Sequence, residues 1–180
     1  MSQPPSSGDL IALFNGLFIP SDRTELVGGA SEPLYRPATE PGGLNAIHFT
    51  HDYCASALHE VAHWCIAGKR RRQQLDYGYW YVPDGRNLAQ QRSFELVEVK
   101  PQALEWVFSR AMGLRFRLSA DNLDGSRMIS AEFKDRVWRQ ARVFCTEGLN
   151  SRAQRFAARL AQYYQQPDFL EARRYCRETL

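Results

Sequence analysis

The chain has 180 residues, of which 44% are hydrophobic and 12% aromatic, and it carries a net charge of +3 at pH 7. This length and composition fit one ordinary globular domain, and charges interrupt every apolar stretch too early for a membrane span. The mild net charge does not demand a nucleic-acid partner, and the four cysteines lack the paired spacing of a zinc ribbon or a disulfide framework.

The N-terminal part of the chain predicts a short tail followed by a helix and two strands. Residues 1–8 are rich in Pro and Ser and lack the layout of a secretory signal, so we expect a disordered tail on a cytoplasmic protein. Residues 9–18 place apolar side chains at helical spacing, with Asp9 as a fair N-cap. Residues 25–27 and 46–49 are expected to form strands, the second running towards the next helix.

The clearest predicted helix spans residues 52–67 and contains the pattern His-Glu-x-x-His, with His59 and His63 at its ends. Histidines four residues apart on a helix differ by about 40° in direction and about 6 Å in height. Both fall on the apolar stripe that is expected to face the core, so their ring nitrogens can converge on one metal ion. Glu60 can reach water on that metal as a base. Gly68 is expected to end the helix in a left-handed conformation.

After this helix, the sequence predicts a mixture of strands and helices. Strands are expected at residues 75–82 and 94–99, a helix opens at Pro101, and residues 114–118 alternate like a half-buried strand. Further helices are expected at residues 131–146, 151–165 and 168–177. We therefore expect an α+β fold, a single compact and helix-rich domain over residues 9–180 with a small mixed sheet.

A metal site built on two histidines needs a third protein ligand and an open position. Glu95 and Glu98 are the candidates, but in a strand they lie on opposite faces, and the pattern does not say which face meets the metal helix. Glu98 lies where the predicted strand meets the next helix, which is a usual place for functional side chains. His48 and His51 are further candidates for ligands or proton shuttles, although such residues more often end strands or cap helices.

Two other groups of residues bear on binding. An aromatic run is suited either to a pocket for a long aliphatic or cationic side chain or to ordinary strand packing, and it consists of Tyr77, Tyr79, Trp80 and Tyr81. A basic run at residues 69–72 suits the negative end of the preceding helix and permits an acidic partner.

The His-Glu-x-x-His pattern also occurs in zinc peptidases. The longer metzincin pattern requires a third histidine where Lys69 stands, and neither Glu95 nor Glu98 is followed four residues later by the Asp of the other large peptidase group. Two histidines and one carboxylate also form the facial triad of non-haem Fe(II) oxygenases. The residues alone therefore leave a zinc metallopeptidase, an oxygenase and a metal-free interaction module as the alternatives.

At these residues the chain resembles the bacterial elongation factor P hydroxylases. The resemblance extends over about residues 10–164, and the matching stretches are residues 53–69, 76–81, 83–86, 94–95, 97–104 and 121–123, the last followed by Gly125. It implies an enzyme that hydroxylates a lysine of translation elongation factor P after β-lysylation. It also implies that the metal is iron and that its ligands are His59, His63 and Glu98.

The resemblance gives the other candidates their expected roles. Fe(II) would activate oxygen for attack on a lysine carbon, Glu60 would orient a ligand or relay a proton, and the aromatic run would wall the lysine channel. Elongation factor P is acidic, so Arg70, Arg71 and Arg72 would steer its docking. Neither nucleic acid nor a membrane is an expected partner. The zinc metallopeptidase remains the alternative function.

Overall fold

The computed structural model describes residues 4–76, 87–119 and 129–180. Within these ranges the chain forms five α-helices and three strands around one shared hydrophobic core. In chain order the elements are α1 (Ser7–Asp22), β1 (Thr24–Ala30), β2 (Leu34–Arg36), β3 (Asn45–Thr50), α2 (Cys54–Ile66), α3 (Leu88–Met112), α4 (Ala131–Glu147) and α5 (Ser151–Tyr163). None of the helices among these residues is long and apolar enough to cross a membrane.

Helix α1 begins at Ser7, so it takes in the last two residues of the predicted tail. Its N-cap is Ser6 and not Asp9, because the Ser6 hydroxyl accepts the Asp9 backbone N–H at 3.1 Å and donates to the Asp9 carboxylate at 2.7 Å. The Ser6 hydroxyl thereby satisfies the Asp9 N–H, a donor at the helix end that would otherwise lack a partner. On the apolar stripe of α1, Phe14 and Phe18 are fully buried.

The three strands form a mixed sheet in the order β1-β3-β2, with β1 parallel and β2 antiparallel to β3. The strands predicted at residues 25–27 and 46–49 are confirmed as β1 and β3. Strand β2 has only three residues within a stretch rich in turn formers, so its sequence carries no strand pattern. Asn15 of α1 covers the outer side of β1, accepting the Leu26 N–H at 2.7 Å and donating to its carbonyl at 3.4 Å.

Helix α2 is confirmed, but its end differs from the prediction. The C-cap is Ala67, with φ −57° and ψ 125°, and Gly68 is not among the residues with positive φ. The Arg152 guanidinium of α5 instead donates to the carbonyls of Trp64, Cys65 and Ala67, at 3.3, 2.9 and 2.8 Å. A cation at this position satisfies the free carbonyls and complements the helix dipole.

The predicted strand at residues 94–99 is wrong, because these residues belong to α3, and Pro101 lies inside that helix and does not open it. A capping box between Asn87 and Gln90 starts the helix. The alternation of apolar and polar residues is misleading here, since Leu96 and Val97 are 53% and 45% exposed. Burial instead follows helical spacing.

The C-terminal half matches the prediction in part. Helices α4 and α5 are confirmed. Residues 114–118 form no strand, although Phe116 and Leu118 are buried and the arginines between the apolar residues are exposed. The helix predicted at residues 168–177 is wrong, because this segment forms turns and the 3₁₀ helix Ala172–Arg174. The strand predicted at residues 75–82 lies mostly outside the described residues.

An aromatic cluster joins four of the helices. Phe14 and Phe18 of α1 meet Trp64 of α2 with ring centroids 5.4 and 4.9 Å apart, and Phe156 of α5 packs against Phe14 at 5.6 Å and against Phe108 of α3 at 5.1 Å. Edge-to-face aromatic pairs of this kind add to the hydrophobic stabilisation of the core. The cluster fixes one face of α2, and a different face carries the histidines, since His63 and His59 point about 100° and 140° away from Trp64.

Candidate metal centre

Three side chains from α2 and α3 converge at the interface of the two helices. The Nε2 atoms of His59 and His63 are 3.0 Å apart. Glu98 of α3 brings Oε1 to 3.2 Å from His63 Nε2 and Oε2 to 3.6 Å from His59 Nε2. Each residue offers one ligand atom, and these atoms all lie within 4.8 Å of one another. The structure therefore brings together the three residues that the sequence analysis expects as metal ligands.

The spacing of this cluster fits a divalent metal ion. Two ligand atoms about 2.1 Å from one ion lie about 3.0 Å apart at a right angle and about 3.4 Å apart at a tetrahedral angle. Glu98 is only 2% exposed, and its Oε2 has no hydrogen-bond partner among the described residues. A buried carboxylate oxygen without a partner is costly, and a cation between the three side chains would remove that cost. Two imidazoles and one carboxylate suit iron or zinc.

The electrostatics of the cluster favour a charged His59 and a charged Glu98. Burial lowers the pKa of His59, but the hydrogen bond and charge of Glu105 outweigh burial and hold this pKa well above its ordinary value. Burial raises the pKa of Glu98, but the hydrogen bond and charge of His63 bring it below the ordinary value. In the metal-free protein the cluster therefore retains a proton that a metal ion would displace.

Glu105 is a member of the site that the sequence pattern does not reveal. Its Oε2 lies 2.8 Å from Nδ1 of His59, and the residue is 8% exposed. Glu105 follows Glu98 by seven residues, which places both on one side of a helix about two turns apart. Gln102, between them, is fully buried. Its amide nitrogen donates to the Ser119 carbonyl and its amide oxygen accepts the Ser119 N–H. Once residues 94–105 are known to be helical, this buried polar stripe becomes a visible signal.

Comparison with known proteins gives the same family as the sequence resemblance. The model of the family described as elongation factor P hydroxylase matches residues 13–175. The chain is also 47% identical over 160 residues to an elongation factor P lysine hydroxylase of Haemophilus influenzae, covering 89% of this chain and 90% of that protein. The chain belongs to the elongation factor P hydroxylase family. In this hydroxylase family member, the converging side chains are the candidate active centre.

Glu60, the predicted base, lies beside the candidate centre. It is 9% exposed and, with His63, lines a cavity of about 20 Å³ between α2 and the sheet. This volume is enough for a water molecule. Successive residues on a helix point about 100° apart, so Glu60 does not share the direction of His59. A role for Glu60 in the reaction stays a prediction.

The structure separates the three arginines that are predicted to dock the substrate protein. Arg70 is exposed. Arg71 forms an ion pair with Asp76 at 2.5 Å, and Arg72 lines the cavity beside Glu60. Arg70 is therefore the most exposed of the three arginines.

The predicted aromatic pocket lies outside the residues that the structure describes, so it stays a prediction. Its residues are Tyr77, Tyr79, Trp80 and Tyr81. The adjoining residue Asp76 is described, and its backbone pairs with that of Tyr35.

The other candidate ligands do not join the cluster. Glu95 accepts a hydrogen bond from Ser130 Oγ at 2.7 Å, at the start of α4. His48 lies on β3, where burial lowers its pKa. His51 is exposed at a turn with φ +45°, and its ring stacks on Tyr53 at 5.9 Å. Glu98 is thus the glutamate of the predicted pair that meets the histidines.

Proposed function

We propose that the protein is a metal-dependent hydroxylase that adds a hydroxyl group to a lysine of translation elongation factor P. Membership of the elongation factor P hydroxylase family supports this activity, as does the name of the Haemophilus influenzae relative. The observation that carries the proposal is the convergence of His59, His63 and Glu98, with their ligand atoms 3.0–3.6 Å apart. This donor set, two histidines and one carboxylate, is that of the non-haem iron oxygenases.

We propose that His59, His63 and Glu98 hold Fe(II), with the enzyme acting as a monooxygenase. Bound iron would supply the oxygen chemistry that protein side chains lack. The three protein ligands would occupy one side of the ion and leave other positions open. The His59 and His63 side chains are 19% and 12% exposed, which supports access from the surface. Such access is required if the reacting lysine belongs to another protein.

The substrate side chain that we propose is a β-lysylated lysine, which is long, aliphatic and cationic. Aromatic faces attract such cations, which supports a channel wall formed by residues 77–81. Asp76, which directly precedes this segment, lies near the metal centre, since it lines the same cavity as His63 and Glu60. We propose that Glu60 relays a proton or orients a ligand through that cavity.

For docking, we propose that the exposed Arg70, next to Lys69, attracts the acidic elongation factor P. Arg71 and Arg72 would shape the cavity wall, given their inward contacts. Arg70→Ser is then expected to slow association mainly at low salt, whereas unchanged association at low salt would exclude this docking role. Action on a translation factor would also support the cytoplasmic location that we propose.

The test is intact-mass spectrometry of β-lysylated elongation factor P after incubation with the protein, Fe(II), a reductant and air. We expect a gain of one oxygen atom per substrate, and no gain with His59→Ala or Glu98→Ala. Glu95→Ala is the matched control, since Glu95 lies on the same helix but contacts Ser130, and it should retain the activity. Absence of the gain with several reductants, together with peptide cleavage by the zinc form, would replace this proposal with the metallopeptidase.

A further inference from the structure

The two histidines of the centre differ in what lies behind them. His59 turns one ring nitrogen, Nε2, towards His63 and Glu98, and the other, Nδ1, lies 2.8 Å from Oε2 of Glu105. His63 has no such carboxylate behind it among the described residues. Glu105 is 8% exposed, so its hydrogen bond to His59 is shielded from water and well defined.

This contact determines which nitrogen of His59 is free to bind a metal. A neutral imidazole carries one N–H, and an ionised carboxylate can only accept a hydrogen bond. In the neutral form of His59, which is the form that binds a metal, Nδ1 must therefore carry the hydrogen that Glu105 accepts, and Nε2 has its lone pair towards the cluster. The same hydrogen bond fixes the rotation of the ring, so that the lone pair of Nε2 points at the space between His63 and Glu98.

The helical register of α3 explains why one helix can supply both glutamates. Seven residues on an α-helix correspond to a rise of about 10.5 Å and a change of direction of about 20°. Glu98 can thus reach the cluster itself, while Glu105, two turns further, reaches the rear of the His59 ring. Gln102 lies between them on the same buried stripe and secures the stripe to the backbone of Ser119.

We propose that Glu105 is the positioning residue of the metal centre, acting through His59 and not as a ligand. It holds His59 in the Nδ1–H tautomer and in the orientation that presents Nε2 to the metal. This inference rests on the proposed metal site. Loss of a hydrogen-bonding partner behind a metal-binding histidine typically costs 10–100-fold in metal affinity.

The first test measures the affinity of the full chain for Co²⁺, by competition with a chelator and the absorption of the bound ion. We expect Glu105→Ala to bind Co²⁺ about 10–100-fold more weakly than the unmodified protein. Glu105→Gln keeps an oxygen acceptor of the same reach, so it should lose less. Glu105→Asp keeps the charge but is one methylene shorter, so it should weaken binding as Glu105→Ala does.

The control for this series is Glu95→Gln, which changes a carboxylate on the same helix that bonds Ser130, and its Co²⁺ affinity should be unchanged. Equal affinity of Glu105→Asp and the unmodified protein would show that charge alone matters and would overturn the positioning role. Unchanged affinity of Glu105→Ala would do the same while leaving the proposed function intact. If the unmodified protein binds no Co²⁺, the metal centre and this inference both fail.

The second test reads the tautomer directly, by long-range ¹H–¹⁵N correlation spectra of the Zn²⁺-loaded protein. The chain has only four histidines, so their ring signals can be assigned by substitution. We expect a protonated Nδ1 on His59, with its proton protected from exchange, and loss of that protection in Glu105→Ala. A merely structural role of Glu105 would leave the exchange of this proton unchanged in Glu105→Ala. A His59 protonated at Nε2 would overturn the inference.

Discussion

Two faces of helix α2 are built on opposite principles. One face carries Trp64, which packs against the rings of Phe14 and Phe18 in the apolar core. The other carries His59 and His63, which meet a buried carboxylate with an oxygen that lacks a hydrogen-bond partner among the described residues. The first face gains stability from every contact, while the second holds polar groups whose burial becomes favourable only with a cation present.

This difference shows how a small domain can hold a reactive cluster in place. The metal-side residues do not by themselves fix the position of α2, because the burial of their polar groups costs free energy that apolar contacts do not cost. The aromatic cluster and the guanidinium of Arg152, which binds the end of the helix, supply the rigidity instead. Substitutions on the metal side should therefore change mainly the activity, and substitutions on the apolar side should change mainly the stability.

The largest expected effect is on the metal side. Glu98→Gln keeps the shape of the side chain but removes the charged ligand, so we expect hydroxylation to fall to background. Its metal affinity should fall by more than the 10- to 100-fold typical of a residue behind a ligand. Mass spectrometry of the substrate and Co²⁺ titration measure the two effects. Near-ultraviolet circular dichroism should be unchanged, and a collapse of that signal would mean that the two faces are not separable.

The next effect is on the apolar side. Phe156→Ala removes a fully buried ring that contacts Phe14 and Phe108, and it should lower the free energy of unfolding by about 3–5 kcal/mol. Urea unfolding measures this loss. The Co²⁺ affinity of the molecules that remain folded should match that of the unmodified protein. Equal losses of stability and of affinity would contradict the separation of the two faces.

Arg152 binds the end of α2, which carries both faces, so its substitution should have a smaller and mixed effect. Arg152→Ala leaves three carbonyls at the end of α2 without this partner and removes a cation 5.0 Å from the Trp64 ring. We expect a loss of about 1–3 kcal/mol in the free energy of unfolding, with a modest weakening of Co²⁺ binding. Arg159→Ala is the matched control on α5, because Arg159 is exposed and bonds only Gln162, in the part of the chain that the structure describes. It should change neither measurement.

The sequence predicts α2 and its histidines because the metal-ligand spacing places His59 and His63 on one side of a helix, and the resemblance adds Glu98 as the third ligand. The expectation that this side faces the core is met only in part, because both histidines are partly exposed and the buried residues of α2 include Leu58, Val61 and Trp64. The sequence cannot predict α3 in the same way, since Phe94 to Lys100 alternates like a strand and Pro101 looks like the start of a helix. Glu98, Gln102 and Glu105 are buried there together with apolar residues such as Phe94 and Leu104, so polar residues interrupt the usual apolar signal for a buried face.

Each of the remaining errors in the prediction has a specific physical cause. The end of α2 cannot be predicted from Gly68, because the residue that satisfies its carbonyls, Arg152, lies far away in the sequence. The start of α1 is set by a hydroxyl of Ser6 within a stretch that reads as a tail. Glu105 could be found only after Glu98 is known to be helical, because its role depends on a spacing of seven residues.

The smallest expected effect is a dependence of metal-free stability on pH. The pKa of His59 is raised on folding by Glu105, so its protonation stabilises the folded state below about pH 6.5, the ordinary histidine value. That contribution is lost as the pH rises through the folded-state pKa, and the metal-free protein should become less stable between neutral and alkaline pH. Metal competes with this proton, so Co²⁺ binding should strengthen over the same range.

Thermal unfolding of the metal-free protein at a series of pH values measures this effect, with His59→Gln as the comparison. The variant has no group that titrates at this position, so its stability should fall less between pH 7 and pH 9, which lie above the ordinary histidine pKa of about 6.5. The apolar face provides the internal reference, because Phe156→Ala should lower stability by the same amount at every pH and keep the slope of the unmodified protein. A slope that survives in His59→Gln would assign the titration to another group and separate it from the metal centre. A slope that disappears would show that the two faces of α2 differ in charge as well as in packing.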